Sequence, residues 1–201
     1  MIEKPQITGL ILAGGRGTRM GQVNKGLQHF QGRPMALHVL ERLMPQVSKV
    51  IINANQDIQD YEKFGVDVYP DVIAGFAGPL AGIETGLIQC KTPFLLSVPC
   101  DSPFLPMDLA ARLLEKLSIN NADVAIATTI ENRQGEKFLQ RHPVFALIRT
   151  SSIKDLSVFI AHGGRKVDGW LEQRQTVEVL FPDNSNFANL NTLQDLQRFS
   201  S

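Results

Sequence analysis

Residues 12–26 read LAGGRGTRMGQVNKG, and these residue types are the ones a polyphosphate requires. Closely spaced anionic oxygens need glycines that let the backbone approach, amide donors, and cations that neutralise charge. Gly14, Gly15, Arg16, Gly17, Arg19, Gly21 and Lys25 supply them. A glycine turn with solvated basic residues has the same composition, but the apolar run over residues 7–13 sets this one at the end of a buried strand and favours phosphate binding. The run matches neither GxxxxGK(S/T) nor GxGxxG. A second candidate is Asp101, within Pro99-Cys100-Asp101-Ser102-Pro103. It is either a turn cap or, following an apolar strand, a hard ligand for Mg²⁺ whose octahedron phosphate oxygens and water complete.

Other polar residues gather at the ends of apolar runs. Asn53 and Asn55 flank Ala54, so their amides can read a base or ribose, or satisfy loop backbone. Asp71 either joins them or organises a turn. GPLAG, residues 78–82, can bring the backbone edge at Gly78 close to a planar base while Pro79 starts a helix. Asn189 and Asn191 enclose Leu190, and an extended backbone puts both on one side, facing a metal or second substrate, or bonding the loop itself. Arg165 and Lys166 after Gly163-Gly164 read as a positive lip for a phosphorylated acceptor or as a solvated turn. His142-Pro143 is a candidate for shaping an acceptor pocket, with His142 a poor candidate for a base. His29, His38 and His162 form no compact metal signature, and Trp170 reads as a packed aromatic.

Positioning these groups takes alternating strands and helices. Apolar runs predict strands over residues 7–13, 49–53, 66–69, 94–98, 124–129, 143–148 and 176–181. Helices are expected from Pro34 with Ala36, Leu40, Leu43, Met44 and Val47 on one face, then over 57–64 and 79–89. Another opens at Pro106, with Leu109, Ala110, Leu113, Leu114 and Leu117 as its apolar face, and another covers 152–160. Residues 131–140 read as a polar insertion turning at Gly135, and Thr192-Leu193-Gln194-Asp195 has capping-box spacing for a last helix. The pattern predicts an α/β fold: an open, mainly parallel sheet with Rossmann-like nucleotide-binding architecture and helices on both faces. Ligands in such sheets sit beyond the C-terminal strand ends, where Gly14, Asn53, Asp71 and Asp101 would emerge.

Composition agrees with one compact unit. The chain has 201 residues, 43% of them hydrophobic, with 20 basic residues against 20 acidic ones. No linker, repeat or low-complexity tract divides it, so residues 1–201 read as a single domain. Zero net charge argues against broad capture of nucleic acid or an anionic membrane. No stretch approaches the ~20 apolar residues of a membrane span, and the cytoplasm is the expected compartment. Cys90 and Cys100 read as small buried thiols.

The ordered set of motifs resembles the nucleotidyltransferase superfamily and, within it, the molybdenum cofactor guanylyltransferase family, over nearly the whole chain. The resemblance rests on Leu12-Ala13-Gly14-Gly15, Arg19-Met20-Gly21, Lys25-Gly26, Asn53-Ala54-Asn55, Asp71, Gly78-Pro79-Leu80-Ala81-Gly82, Pro99-Cys100-Asp101-Ser102-Pro103 and Asn189-Leu190-Asn191-Thr192. It implies that the backbone of Leu12, Ala13 and Gly14 holds the nucleotide, Lys25 meets phosphate, Asn53 and Asp71 recognise guanosine, and Asp101 binds magnesium. The implied reaction transfers GMP from GTP to the phosphate of molybdopterin or molybdenum-molybdopterin, with Mg²⁺ as cofactor, and the implied partners include cofactor-delivery and molybdoenzyme-maturation proteins. One departure is Asn24 in Gly21-Gln22-Val23-Asn24-Lys25, where the family commonly has Asp. Two alternatives stay open: a related transferase using CTP or a sugar phosphate, and a non-catalytic nucleotide sensor.

Overall fold

The computed structural model describes residues 6–15, 24–73, 78–133 and 135–190. The first strand, β1 (Ile7–Leu12), is central, with β4 (Lys49–Asn53) on one side and β6 (Phe94–Pro99) on the other, both parallel to it. β5 (Asp67–Tyr69) pairs parallel to β4 and forms one edge. Beyond β6 lie β8 (Glu136–Arg149), β7 (Val124–Arg133) and β9 (Thr176–Leu180), giving the order β5-β4-β1-β6-β8-β7-β9. Only β8 runs against the rest of this sheet, so the mainly parallel α/β architecture expected from the sequence is observed.

Alternate residues of the central strands feed two cores, as the pleat requires. Ile7 and Ile11 of β1, Ile52 of β4 and Val98 of β6 face one layer. That layer contains α1 (Met35–Leu43), α4 (Leu109–Ile119) and Tyr61 of α2 (Ile58–Glu62). Leu10, Ile51 and Leu95 face the opposite layer, made by α3 (Pro79–Gln89), α5 (Ile153–Ala161) and α6 (Val167–Leu171). Leu109, Leu113 and Leu117 return at helical spacing and are fully buried, each contributing roughly 1.5–3 kcal/mol of apolar transfer free energy. Trp170 is 1% exposed within the α6 layer, as a packed aromatic should be.

Several local expectations change. Pro34 is not in the first helical turn; it is extended and paired in a two-strand ribbon, β2 (His29–Phe30) with β3 (Arg33–Pro34), and α1 starts after it. Of the expected insertion over 131–140, residues 131–133 and 136–140 belong to β7 and β8 as paired strands of the sheet, where Ile130 opposes Leu139 and the Gly135 amide donates to Asn132 Oδ1 at 3.1 Å. Pro143 falls where the register jumps between Ile126 and Ala127, a bulge that tolerates a residue with no ladder donor. The capping-box helix expected from Thr192 lies outside the described residues.

Candidate functional site

The strand register builds the site. Leu12 pairs with Asn53 on one side and Pro99 on the other, while Asn53 pairs with Tyr69, so four chains leave the sheet at one level. Ala13 N donates to Asn53 O at 2.8 Å, Cys100 N to Leu12 O at 3.1 Å and Ala54 N to Tyr69 O at 3.1 Å, extending this alignment one residue past the strands. β4 and β6 flank β1 on opposite sides, which makes this edge the switch point of the sheet.

A cavity of about 290 Å³ opens there. Its walls include Leu12, Ala13, Gly14 and Gly15 from the first loop, together with Lys25; Asn53, Asp71 and Gly78 come from the next two strand ends and the start of α3. Asp101 and Asn189 complete the expected set. Arg19 and Asn191, also expected here, lie outside the described residues. Pro79, Pro99, Cys100 and Val144 line the cavity as well. Val144 was not anticipated; the signal for it was Pro143 inside an apolar run, which marks the bulge that turns this part of β8.

Opposite charges meet on the cavity wall. Lys25 Nζ lies 3.4 Å from Asp101 Oδ2, although the residues are 76 positions apart. Asp101 is 8% exposed, and burial raises its carboxyl pKa above the ordinary aspartate value while Lys25 opposes that rise. Its carbonyl accepts from Leu190 N at 2.9 Å, and the neighbouring Ser102 Oγ donates to Asn189 Oδ1 at 2.5 Å. These bonds tie residues 189–190 to the turn that carries the carboxylate. Burial also pushes the Cys100 thiol far up, so this cysteine is a protonated wall group. Cys90 is only partly buried, in contrast to the expectation for both thiols.

Asp71 is bracketed by amides. Asn53 Nδ2 donates to its Oδ1 at 2.9 Å and Asn55 Nδ2 to its Oδ2 at 2.8 Å, while Asp71 N donates back to Asn55 Oδ1 at 2.8 Å. Asn53 also reaches Tyr69 O at 3.1 Å and Asn55 reaches Gly14 O at 3.4 Å, linking three strand ends through one carboxylate. The asparagine amides are thus turned to Asp71, and an ionised Asp71 presents acceptors alone. Removing that carboxylate would leave both amides without this acceptor.

α3 approaches this network closely. Gly78 holds φ at 146°, a conformation open to glycine, and Pro79 follows as the first helical residue. Of GPLAG, Gly78 and Pro79 reach the cavity while Leu80, Ala81 and Gly82 are buried behind it. A Cβ on Gly78 would stand 4.0 Å from Arg165 O, so that loop's backbone lies alongside. The Arg165 guanidinium, however, donates to Ile160 O at 3.1 Å and Gly164 O at 2.8 Å, at the C-terminus of α5. Lys166 is exposed at the start of α6, and neither residue lines the cavity, so the expected positive lip is not observed. His142 stacks on Phe187 at 4.6 Å and contacts Thr129 Oγ1 at 2.9 Å, and burial lowers its pKa. It packs against Phe145 and Phe187 and does not line the cavity.

Against known proteins, residues 9–177 match the MobA-like NTP transferase domain. The chain belongs to that family. It is 53% identical to the molybdenum cofactor guanylyltransferase of Ralstonia nicotianae, covering 100% of this chain and 98% of that one. It is 50% identical to the protein of the same name from Bordetella petrii, covering 98% and 99%. The molybdopterin-guanine dinucleotide biosynthesis protein A of Archaeoglobus fulgidus superposes with a TM-score of 0.74 at 22% identity, covering 95% of each chain. A CMP:2-keto-3-deoxy-manno-octonic acid synthetase complexed with CTP gives 0.73 at 14% identity, covering 98% of this chain and 97% of that one. Both structural likenesses show that the α/β fold is shared. Asn24, the departure from the family pattern, sits just outside the cavity lining, next to Lys25.

Proposed function

We propose that this chain transfers GMP from GTP to the phosphate of molybdopterin or molybdenum-molybdopterin, forming the guanine dinucleotide cofactor and releasing pyrophosphate. The observation that carries this reading is the meeting of the glycine-rich first loop, Lys25 and Asp101 on one cavity at the sheet's switch point. The names of the full-length relatives support the choice of nucleotide and acceptor.

An acceptor phosphate oxygen attacks the α-phosphorus of GTP, a new phosphoanhydride bond forms, and the bond to the β-phosphate breaks with its electron pair leaving on pyrophosphate. The nucleophile is already ionised near neutral pH, which is consistent with a cavity wall that has no histidine among the described residues. The amides of Gly14 and Gly15 and the Lys25 ammonium orient the phosphates and offset their charge. Asp71, held by Asn53 and Asn55, accepts hydrogen bonds from the guanosine portion, while Gly78 and Pro79 offer a flat backbone edge to the base.

Asp101 would hold Mg²⁺. The fit is chemical: among the described residues no three His, Cys, Asp or Glu side chains gather as a metal cage, and Mg²⁺ at phosphates is typically held by one or two carboxylates, with substrate oxygens and water doing the rest. A buried carboxylate whose charged form is disfavoured gains from such a cation. When bound, Mg²⁺ supplies Lewis-acid neutralisation of the phosphate oxygens.

Lys25→Ala is expected to lower kcat/KM for GTP roughly a hundredfold, because a charge-assisted phosphate contact is lost. Initial rates of pyrophosphate release across a wide GTP range measure this, and unchanged kinetics would remove Lys25 from the phosphate site. Specificity is tested by crossing GTP, CTP and ATP with molybdopterin and simple sugar phosphates and identifying products by mass spectrometry. The expected product is the guanine dinucleotide alone. A cytidine or sugar-nucleotide product, or stoichiometric GTP binding without pyrophosphate release, would contradict the reading.

The proposal includes a cytoplasmic site of action, one transferase domain over residues 1–201, and hand-over to or from cofactor-delivery and molybdoenzyme-maturation proteins. Among the described residues no helix is long and apolar enough to cross a membrane.

A further inference from the structure

The residue preceding Lys25 is held by groups outside the cavity. Tyr61 Oη donates to Asn24 Oδ1 at 2.6 Å, and Asn24 Nδ2 donates to Asp57 Oδ2 at 3.0 Å, so both ends of this amide are engaged. Tyr61 is fully buried, and burial raises its hydroxyl pKa, so it remains a donor at neutral pH. Its oxygen also fills the space where a Cβ on Gly26 would stand, which seats the residue after Lys25 on the same ring. Asp57 precedes α2 in a left-handed conformation, φ 51°, which Asp and Asn tolerate better than other side chains. Its carboxylate makes no capping bond to α2 and is directed to Asn24.

Lys25 is therefore flanked by two residues anchored to one helix while its ammonium reaches Asp101 at 3.4 Å. We infer that Asn24 is a positioning residue for Lys25, and that the Tyr61–Asn24–Asp57 relay sets the entry of the Lys25 ammonium into the cavity and requires opposite hydrogen-bonding characters at positions 24 and 57. A carboxylate at position 24 keeps the bond from Tyr61 but meets Asp57 carboxylate to carboxylate, so residues 24–26 must move off α2. Exchanging the two groups preserves everything: Asp at 24 accepts from Tyr61 and from an Asn at 57, with the same total charge. The inference rests on Lys25 contacting the triphosphate, as proposed above.

Asn24→Asp, Asp57→Asn and the double variant test it, with steady-state GTP kinetics and melting temperature measured for each. Asn24→Asp is expected to raise the KM for GTP about tenfold with kcat changed less than about threefold, a like-charge contact displacing a binding group without removing it. The double variant is expected to return to within about threefold of the wild-type KM. A role limited to folding would move melting temperature without this split or rescue. Asn24→Asp with wild-type KM, or a double variant no better than Asn24→Asp, overturns the relay. Should Asn24→Asp fail to fold, Tyr61→Phe, which removes only the donor, must raise KM several-fold; an unchanged KM overturns the relay equally. Lys25→Ala separates the two levels. Normal GTP kinetics in Lys25→Ala defeats the phosphate reading itself, whereas an impaired Lys25→Ala beside a normal Asn24→Asp defeats the relay alone.

Discussion

Asp101→Asn is expected to lose about three orders of magnitude of GMP transfer and, without nucleotide or metal at neutral pH, to melt at a higher temperature than the wild-type chain. Both effects have one origin. The carboxylate is buried, and its pKa is raised first by that burial, with Lys25 opposing it. A carboxyl whose folded pKa exceeds its unfolded value is stabilising in its protonated form, so the wild-type chain loses stability as pH rises from the ordinary aspartate value through the raised one. The amide never ionises and escapes this cost. The gap in melting temperature should thus be present at neutral pH and close as pH falls below about 4, the ordinary aspartate value. Mg²⁺ with GTP should raise the melting temperature of the wild-type chain and leave Asp101→Asn nearly unmoved, because stabilisation follows binding to the folded state. A variant that melts lower at every pH would contradict a burial cost on the carboxylate, and one that still responds to Mg²⁺ with GTP would place the cation elsewhere.

Gly82→Ala should damage both the packing of α3 and the cavity wall. The added Cβ would stand 2.5 Å from Leu12 Cδ2 and closer still to Asn53 Oδ1. Neither neighbour can yield without consequence. Leu12 is paired with Asn53 and Pro99 in the middle of the sheet, and the Asn53 side chain bonds Tyr69 O and Asp71 Oδ1. Overpacking a fixed interior costs about 1–3 kcal/mol, and here the strain falls on the wall of the cavity. The expected outcome is a lowered denaturant midpoint together with a KM for GTP raised about tenfold, since displacing Asn53 removes one of the two amides that hold the Asp71 carboxylate. Loss of stability with normal GTP affinity would separate Asn53 from nucleotide binding.

The parts of this fold legible in the sequence are those whose physics is local. β1, β4 and β6 are apolar runs buried on both faces, and their ends carry the polar groups that meet at the cavity. The β7–β8 ribbon was hidden because its distal half is held by cross-strand pairing with little burial: Ile130 and Leu139 oppose each other and are both well exposed. α6 has five residues, too few for a helical period to register, and is held by burial of Val167, Trp170 and Leu171. In the site, Lys25 and Asp101 were recognisable by type and local motif, but their 3.4 Å separation is a tertiary contact between residues 76 positions apart. Arg165 misled because a cation beside a glycine turn reads as a ligand group, whereas the nearby end of α5 offers carbonyls that compete for it. Asn24 was visible only as a departure from a pattern; Tyr61 and Asp57, more than thirty positions away, give it a physical reason.

The most direct measurement is a crystal structure with a non-hydrolysable GTP analogue and Mg²⁺. The expected density puts the α-phosphate between the Gly14–Gly15 backbone and Asp101, the cation on the Asp101 carboxylate, Lys25 on a phosphate oxygen and the guanosine portion at Asp71. Density for the triphosphate on any other face of the sheet, or a cation bound away from Asp101, would contradict it.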